Sequence, residues 1–271
     1  MESDMEKENT KRTEWLHFLQ QARDFRKKCL DEIEKGGVWK GRSPGPYCIL
    51  HCIPMPTAEQ QHLNIESVSK DMQSNFIVFG KENVKCQLNS KGLLIETNYE
   101  DRIDKPERID EWYFYRRGFQ RTQMFHTGIL EAVYAPTLEK RERNEALYLS
   151  LYAFEFFCRQ IRNYIEKAPV LGFLGAGVIG VSILGVKDYS IHTPIISARY
   201  LDKFAQQPAD TDEVLNSAKD DIKLEMKILN ILDIKNADKQ VLQPIFDYVW
   251  RCFGFPGCDR DFQDEEWRLQ E

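Results

Sequence analysis

The sequence lacks the features that mark a secreted protein or a strongly basic nucleic-acid-binding protein. Its first fifteen residues are polar and contain no apolar segment, so they predict no secretory signal. Basic residues are not in excess, because 37 Lys and Arg stand against 43 Asp and Glu, for a net charge of −6. This balance argues against a broad basic surface for nucleic acid. Repeats and low-complexity tracts are also missing, and 271 residues with 42% hydrophobic content predict an ordinary globular protein.

The seven cysteines do not form a disulfide or zinc pattern. Their number is odd and they are scattered along the chain, which predicts free thiols in a reducing, cytoplasmic compartment. The stretch CILHC places Cys48 and Cys52 around His51. The spacing is C-x3-C and no second ligand pair follows, so we predict neither a metal site nor a cofactor there. The segment instead reads as a strand with Cys48, Leu50 and Cys52 on one side and Ile49, His51 and Ile53 on the other.

Apolar periodicity predicts an α/β protein of the α+β kind, with a mixed, mostly antiparallel sheet packed by two or three long helices. The sequence predicts a helical N-terminal extension over residues 1–40 and a single α/β domain over 41–271. Helices are expected at 10–34, 138–167 and 236–254, with Asn236 or Asp238 as the cap of the last one. Strands are expected at 47–55, 75–80, 84–88, 92–98, 111–118 and 122–136, and within 221–234.

The segment GAGVIG matches the G-x-G-x-x-G pattern of dinucleotide-binding turns at Gly175, Gly177 and Gly180. That fingerprint requires a strand before the glycines, a helix after them and an acidic residue about 20 positions later. Here a predicted helix precedes the glycines, the β-branched run VSILGV follows them, and Ile195 and Ile196 occupy the place of the acid. We therefore predict no dinucleotide site.

The same region is also a candidate membrane span. Residues 168–186 are nineteen uncharged residues, which is close to the ~20 needed to cross a bilayer. Pro169, five glycines and similar charged flanks argue against a span. The alternative is a buried strand, SILGV, preceded by a glycine-rich turn, and the glycine-rich run 172–185 has no assigned role at this point.

Several segments resemble, in order, the C-terminal half of prokaryotic AlbA/Schlafen-type ATP-binding or DNA-binding proteins. Together they cover about residues 25–267, and each alone is a weak motif. They comprise the helix from Phe25-Arg26 to Gly36-Gly37, LHCIP (50–54), FHTGILEAV (125–133), SILGVKDY (182–189), PIFDYVW (244–250) and Phe253-Gly254.

The resemblance implies a soluble domain in which SILGVKDY is a strand. Members of that family carry an AlbA-like first domain to which nucleic-acid or nucleotide binding is attributed, and no segment here resembles that domain. We therefore expect a non-catalytic binding or scaffold subunit of an antiviral defence system. It would act through an operon-encoded partner protein, an ATPase, helicase or nuclease, that supplies the missing function.

Two alternative sites remain open. Glu225 and Lys227 form an E-x-K pair on a predicted strand, and with Asp220 or Asp212 upstream they could hold Mg²⁺ and activate water in a nuclease. An ordinary edge strand would show the same alternation. A run of aromatic and basic residues could instead stack bases and hold phosphates, unless its aromatic face lies in the core. It contains Trp112, Tyr115, Arg116 and Arg117, with Arg121 close by.

Overall fold

The computed structural model describes residues 4–35, 46–56, 76, 84–100, 107–109, 112–114, 117–135, 139–141, 147–173, 175–187, 189–192, 220–228, 230–255 and 257–258. Within these ranges there are twelve strands and three α-helices, which are α1 (Asp4–Glu34), α2 (Leu151–Lys167) and α3 (Gln243–Cys252). Short helical turns precede α3 at Ile231–Asp233 and Asp238–Leu242. The twelve strands are β1 (Tyr47–Pro54), β2 (Val84–Asn89), β3 (Gly92–Glu100), β4 (Glu107–Ile109), β5 (Trp112–Phe114), β6 (Arg117–Phe125), β7 (Leu130–Ala135), β8 (Glu139–Arg141), β9 (Leu147–Ser150), β10 (Gly177–Leu184), β11 (Ser190–His192) and β12 (Ile222–Ile228).

The strands form two sheets. The larger sheet has seven strands in the order β12-β10-β1-β7-β6-β3-β2, and every neighbouring pair in it is antiparallel. The smaller sheet has the order β11-β9-β8-β5-β4, with a parallel pair between β11 and β9. The predicted α+β class and the mixed, mostly antiparallel pairing are therefore confirmed, although the helices differ widely in length.

The side chains of β1 alternate between the two faces of the larger sheet. Cys48, Leu50 and Cys52 lie in the main hydrophobic core, whereas Ile49 and Ile53 belong to two smaller clusters on the opposite face. This alternation confirms the strand prediction for CILHC. Helices α2 and α3 cover the core face with large side chains that are fully buried, among them Phe154, Phe157, Phe246 and Val249.

Helix α1 covers the opposite face through two small apolar clusters. Near its C-terminal end, Leu30 and Ile33 pack against side chains of β1, β6, β7 and β10. About two turns earlier, Phe18, Leu19 and Ala22 pack on Ile53 and Val178. Between the clusters the helix presents Phe25, Arg26 and Cys29 to the sheet, and Phe25 makes ring contacts with His51 and Phe125. Before the clusters, residues 8–14 are all exposed. The helix begins six residues earlier than the sequence predicts.

The glycine-rich run forms β10, a buried strand between β1 and β12. The predicted turn therefore ends earlier than expected, because Gly177 and Gly180 lie inside the strand. A Cβ on Gly177 would lie 2.9 Å from the carbonyl oxygen of Ile53, so close strand approach requires glycine there. A strand follows the glycines, which excludes both a membrane helix and the helix that a dinucleotide turn needs. Among the described residues, no helix is long and apolar enough to cross a membrane.

The remaining predicted helices and strands differ from the structure at one helix start and one hairpin, and agree with it at β12 and at the Asn236 cap. The helix predicted over 138–167 begins only at Leu151, because residues before it form β8 and β9 and pair within the smaller sheet. The strand predicted over 122–136 is a hairpin of β6 and β7, which turns at Gly128 with φ +80°. The alternating segment at 222–228 is the strand β12. Asn236 accepts a hydrogen bond from the amide of Lys239 at 2.9 Å and caps the last helical segment.

Candidate metal centre beneath the first helix

Three residues with metal-binding side chains meet between α1 and the sheet. Cys29 comes from α1, His51 from β1 and Glu131 from β7. One ligand atom of each, the thiol sulfur, an imidazole nitrogen and a carboxylate oxygen, lies within 4.8 Å of the other two. His51 and Glu131 are cross-strand partners in the β1–β7 ladder, which fixes them side by side. The C-terminal part of α1 then places Cys29 next to this pair.

Cys29 and His51 are buried, and both lie against the carboxylate of Glu131, which is mostly buried. His51 is fully buried, and the side chain of Glu131 is 13% exposed. Nε2 of His51 lies 3.3 Å from Oε2 of Glu131, and the thiol of Cys29 also hydrogen bonds to this carboxylate. Burial, together with the adjacent Glu131, raises the pKa of the Cys29 thiol. Burial would also raise the pKa of Glu131, but hydrogen bonds from His51 and Cys29 and the charge of Arg121 outweigh it and lower that pKa.

This geometry differs from that of an activated cysteine nucleophile. In a Cys–His pair the imidazole accepts the thiol proton and a third group orients the imidazole. Here Glu131 is the hub, since both the thiol and the imidazole bond to it. The raised pKa of Cys29 also keeps the sulfur protonated, whereas a nucleophilic cysteine needs a lowered pKa. The arrangement can hold a proton or a cation and lacks the thiol–imidazole pairing of a cysteine nucleophile.

Arg26 lies beside the cluster and explains one of the glycines. Its Nη2 donates to the carbonyl of Val181 at 2.9 Å and to the Ser182 hydroxyl at 2.7 Å. A Cβ on Gly180 would lie 2.7 Å from Nε of Arg26, so the guanidinium can lie against β10 only because position 180 has no side chain. Burial lowers the pKa of Arg26, partly offset by the charge of Glu225. Gly180 of GAGVIG therefore lies against the guanidinium of Arg26 from α1, whereas the G-x-G-x-x-G pattern is typical of a phosphate-binding turn.

The donor set suits a borderline-soft divalent ion. Thiolate and imidazole favour Zn²⁺ or Co²⁺ over Mg²⁺ and Ca²⁺, which take oxygen ligands. Two ligands each about 2.0–2.1 Å from a tetrahedral zinc ion lie about 3.3–3.4 Å apart. The His51–Glu131 separation of 3.3 Å already has this value. Among the described residues, these three form the one group of three or more metal-ligating side chains.

The structure keeps Glu225 and Lys227 on one face of β12 but does not bring Asp220 to them. Asp220 precedes β12, and its side chain is 79% exposed. Its Oδ1 lies 3.6 Å from Nζ of Lys187. Asp220 stands five residues from Glu225 along extended chain, which spans roughly 16 Å. Glu225 instead bonds to Arg23 of α1 at 3.0 Å. Lys227 is exposed on the same strand, and Asp212 lies outside the described residues.

The predicted nucleic-acid residues fall mostly where side chains are not described. Tyr115 and Arg116 lie outside the described residues, and Trp112 and Arg117 are described only as parts of β5 and β6. Arg121 lies on β6, opposite Glu96 and Val133. Its Nε is buried without a hydrogen-bond partner among the described residues, and its charge acts on Glu131. Arg121 therefore belongs to the surroundings of the metal-ligating cluster.

Sequence spacing could not have identified this cluster. Cys29, His51 and Glu131 are separated by 22 and 80 residues along the chain, and no ligand motif has such intervals. The two cysteines that flank His51 point to the opposite face of β1 and take no part in the cluster. The sequence offered one indication, the alternation of side chains along β1, which places His51 on the face opposite Cys48 and Cys52.

Comparison with protein-family models, curated proteins and solved structures finds no match to this chain. The resemblance to the AlbA/Schlafen-type proteins therefore remains a prediction.

Proposed function

We propose that this protein binds one Zn²⁺ ion through Cys29, His51 and Glu131. The observation that supports it most directly is the convergence of three different ligand types from three elements within 4.8 Å. A thiolate, a carboxylate and a neutral imidazole carry two negative charges, which one divalent ion neutralises. Charge neutrality matters at this site, since His51 is fully buried and an uncompensated charge there would be costly.

The proposed role of the ion is structural. Cys29 belongs to α1, whereas the other two ligands belong to the sheet, so the ion would join the helix to the sheet. Three protein ligands leave one tetrahedral position for water. That position lies beneath α1, where a substrate has little access, because His51 is fully buried and Cys29 is 9% exposed. The proposal is thus consistent with the non-catalytic role that we expect from the sequence.

Metal content and a cobalt spectrum test this function. The full chain is dialysed against Zn²⁺, and bound metal per chain is measured for the wild type, Cys29→Ala, Glu131→Gln and the control Cys86→Ala. Cys86 is a partly buried cysteine on β2, away from the cluster. We expect one ion per chain in the wild type and control, and loss of tight binding in the other two.

Substitution with Co²⁺ identifies the sulfur ligand. A thiolate-to-cobalt charge-transfer band should appear in the wild type and in Cys86→Ala, and should vanish in Cys29→Ala. A folded wild type that binds no ion, or a band that survives in Cys29→Ala, would overturn the proposal. Circular dichroism of each variant separates loss of a ligand from loss of the fold.

A second candidate function is partner docking, which combines the family resemblance with one feature of α1. Residues 8–14 are all exposed, and Leu16 is 57% exposed. We propose that this end of α1 contacts an operon-encoded partner. Co-expression with the adjacent gene products tests it: Leu16→Asp should lose co-purification, whereas Leu88→Asp should not, although Leu88 on β2 is exposed to a similar 54%. Equal behaviour of the two variants would contradict docking at α1.

A further inference from the structure

The contact between α1 and the sheet is partly polar at its centre, unlike the contact on the other face. The core face beneath α2 and α3 is one large apolar cluster. Beneath α1, two small apolar clusters flank a turn that presents Phe25, Arg26 and Cys29 to the sheet, with the ring of Phe25 edge-on to His51. The strands meet this turn with His51, Glu131 and Ser182. Hydrophobic burial therefore holds the two flanks of the contact, and its centre combines the Phe25 ring with buried polar groups.

Two polar atoms at this centre are buried without a partner. Nε of Arg26 and Nδ1 of His51 have no hydrogen-bond partner among the described residues. Buried donors or acceptors without partners favour any state in which water reaches them. Opening of α1 would hydrate these atoms, and it would separate Cys29 from His51 and Glu131. The helix contact is thus weakened at the place where the proposed ion would bind.

The outer contacts of α1 do not offset this weakness. Arg23 pairs with Glu225 at 3.0 Å, and Glu34 pairs with Lys223 at 3.4 Å. Arg23 is 52% exposed, and both Glu34 and Lys223 are 45% exposed. Such exposed ion pairs contribute little to stability, and salt screens them. The docking of α1 therefore rests on the two apolar clusters and on the buried groups at the centre of the contact, and the ion pairs add little.

We infer that occupancy of the metal site controls the docking of α1 on the sheet, an inference that rests on the proposed Zn²⁺ site. With the ion bound, Cys29 joins the helix to His51 and Glu131, and opening must first release the ion. Without the ion, α1 opens more often and uncovers the face formed by β1, β7 and β10. The site then acts as a metal-dependent latch, by which we mean that the bound ion keeps α1 closed over this face of the sheet.

The expected size of the effect follows from linkage. If the open form does not bind the ion, the opening constant falls by the factor 1 + [Zn²⁺]/Kd. Exchange of α1 amides for deuterium should therefore slow about 10-fold at free Zn²⁺ ten times Kd, and about 100-fold at one hundred times Kd. Amides of the β2–β3 hairpin, which lies at the far edge of the sheet, should exchange at an unchanged rate.

Hydrogen exchange on the full chain tests the inference, with Zn²⁺ or a chelator present and metal content measured in the same samples. We expect slower exchange in α1 residues 18–34 of the wild type, and no zinc effect in Cys29→Ala. If no ion binds, the proposed metal function fails and the latch fails with it. If an ion binds but α1 exchange is unchanged, or slows no more than in α2, the latch is wrong and the metal site stands.

Discussion

The guanidinium of Arg26 lies against the backbone of β10 at Gly180, where a Cβ would lie 2.7 Å from its Nε. Gly180→Ala should therefore destabilise the protein by about 1–3 kcal/mol, the range for overpacking at a buried site. Chemical unfolding measures the change. The cost should shrink in an Arg26→Ala background, because the truncated side chain leaves room for the methyl group. An equal cost in both backgrounds would show that Arg26 is not the obstacle.

A second glycine, Gly128, should be more sensitive. Its φ of +80° is unfavourable for other residues, and an added Cβ would overlap the ring of Phe173. Gly128→Ala should thus destabilise more than Gly180→Ala. Gly172 also has a positive φ, +84°, but open space around its Cβ position. A comparison of unfolding midpoints for Gly128→Ala and Gly172→Ala isolates the clash with Phe173, and equal effects would contradict it.

Low pH should reduce the free energy of unfolding partly through protonation of Glu131. The pKa of this carboxyl is lowered in the folded protein. Its contribution to the free energy of unfolding is therefore complete above the unfolded pKa of about 4.3, and it is lost as the pH falls through the folded pKa. Glu131→Gln should lose stability less steeply over that acidic window than the wild type. Urea unfolding at a series of pH values gives the slopes. Glu14→Gln, at an exposed position of α1, is the control and should follow the wild-type slope.

Metal affinity should depend on pH through Cys29. Burial raises the pKa of this thiol, so the ion must displace a proton to bind the sulfur. One displaced proton makes the apparent Kd for Zn²⁺ fall about 10-fold for each unit of rising pH. Calorimetric titrations in buffers of different ionisation enthalpy count the released proton. Binding that releases no proton would exclude the thiolate as a ligand.

The nuclease alternative yields a test at Glu225. This carboxylate pairs with Arg23, which is half exposed, so Glu225→Gln should leave the unfolding midpoint almost unchanged. Any loss of Mg²⁺-dependent DNA cleavage in that variant would then reflect chemistry and not unfolding. Lys223→Gln, on the same strand and also ion-paired with α1, is the matched control. Cleavage that persists in Glu225→Gln would rule this residue out as a metal ligand.

Local pattern alone determined much of the secondary structure. Alternation in CILHC fixed both the strand and the direction of each side chain, because successive residues of a strand point to opposite faces. The stripe on α1 and the Asn236 cap were also readable, since both depend on neighbours within a few residues. The same local reading failed at 138–150, where β8 and β9 acquire partners that lie far away in sequence.

Only the tertiary structure decided what GAGVIG and His51 do. The glycines match a phosphate-binding pattern, but their environment comes from β1, β12 and Arg26, which are distant in the chain. His51 could be assigned to a face of β1 from sequence, yet its neighbours Cys29 and Glu131 depend on how α1 crosses the sheet and how β1 pairs with β7. Periodicity fixes the direction of a side chain, whereas strand order and helix placement determine what it meets.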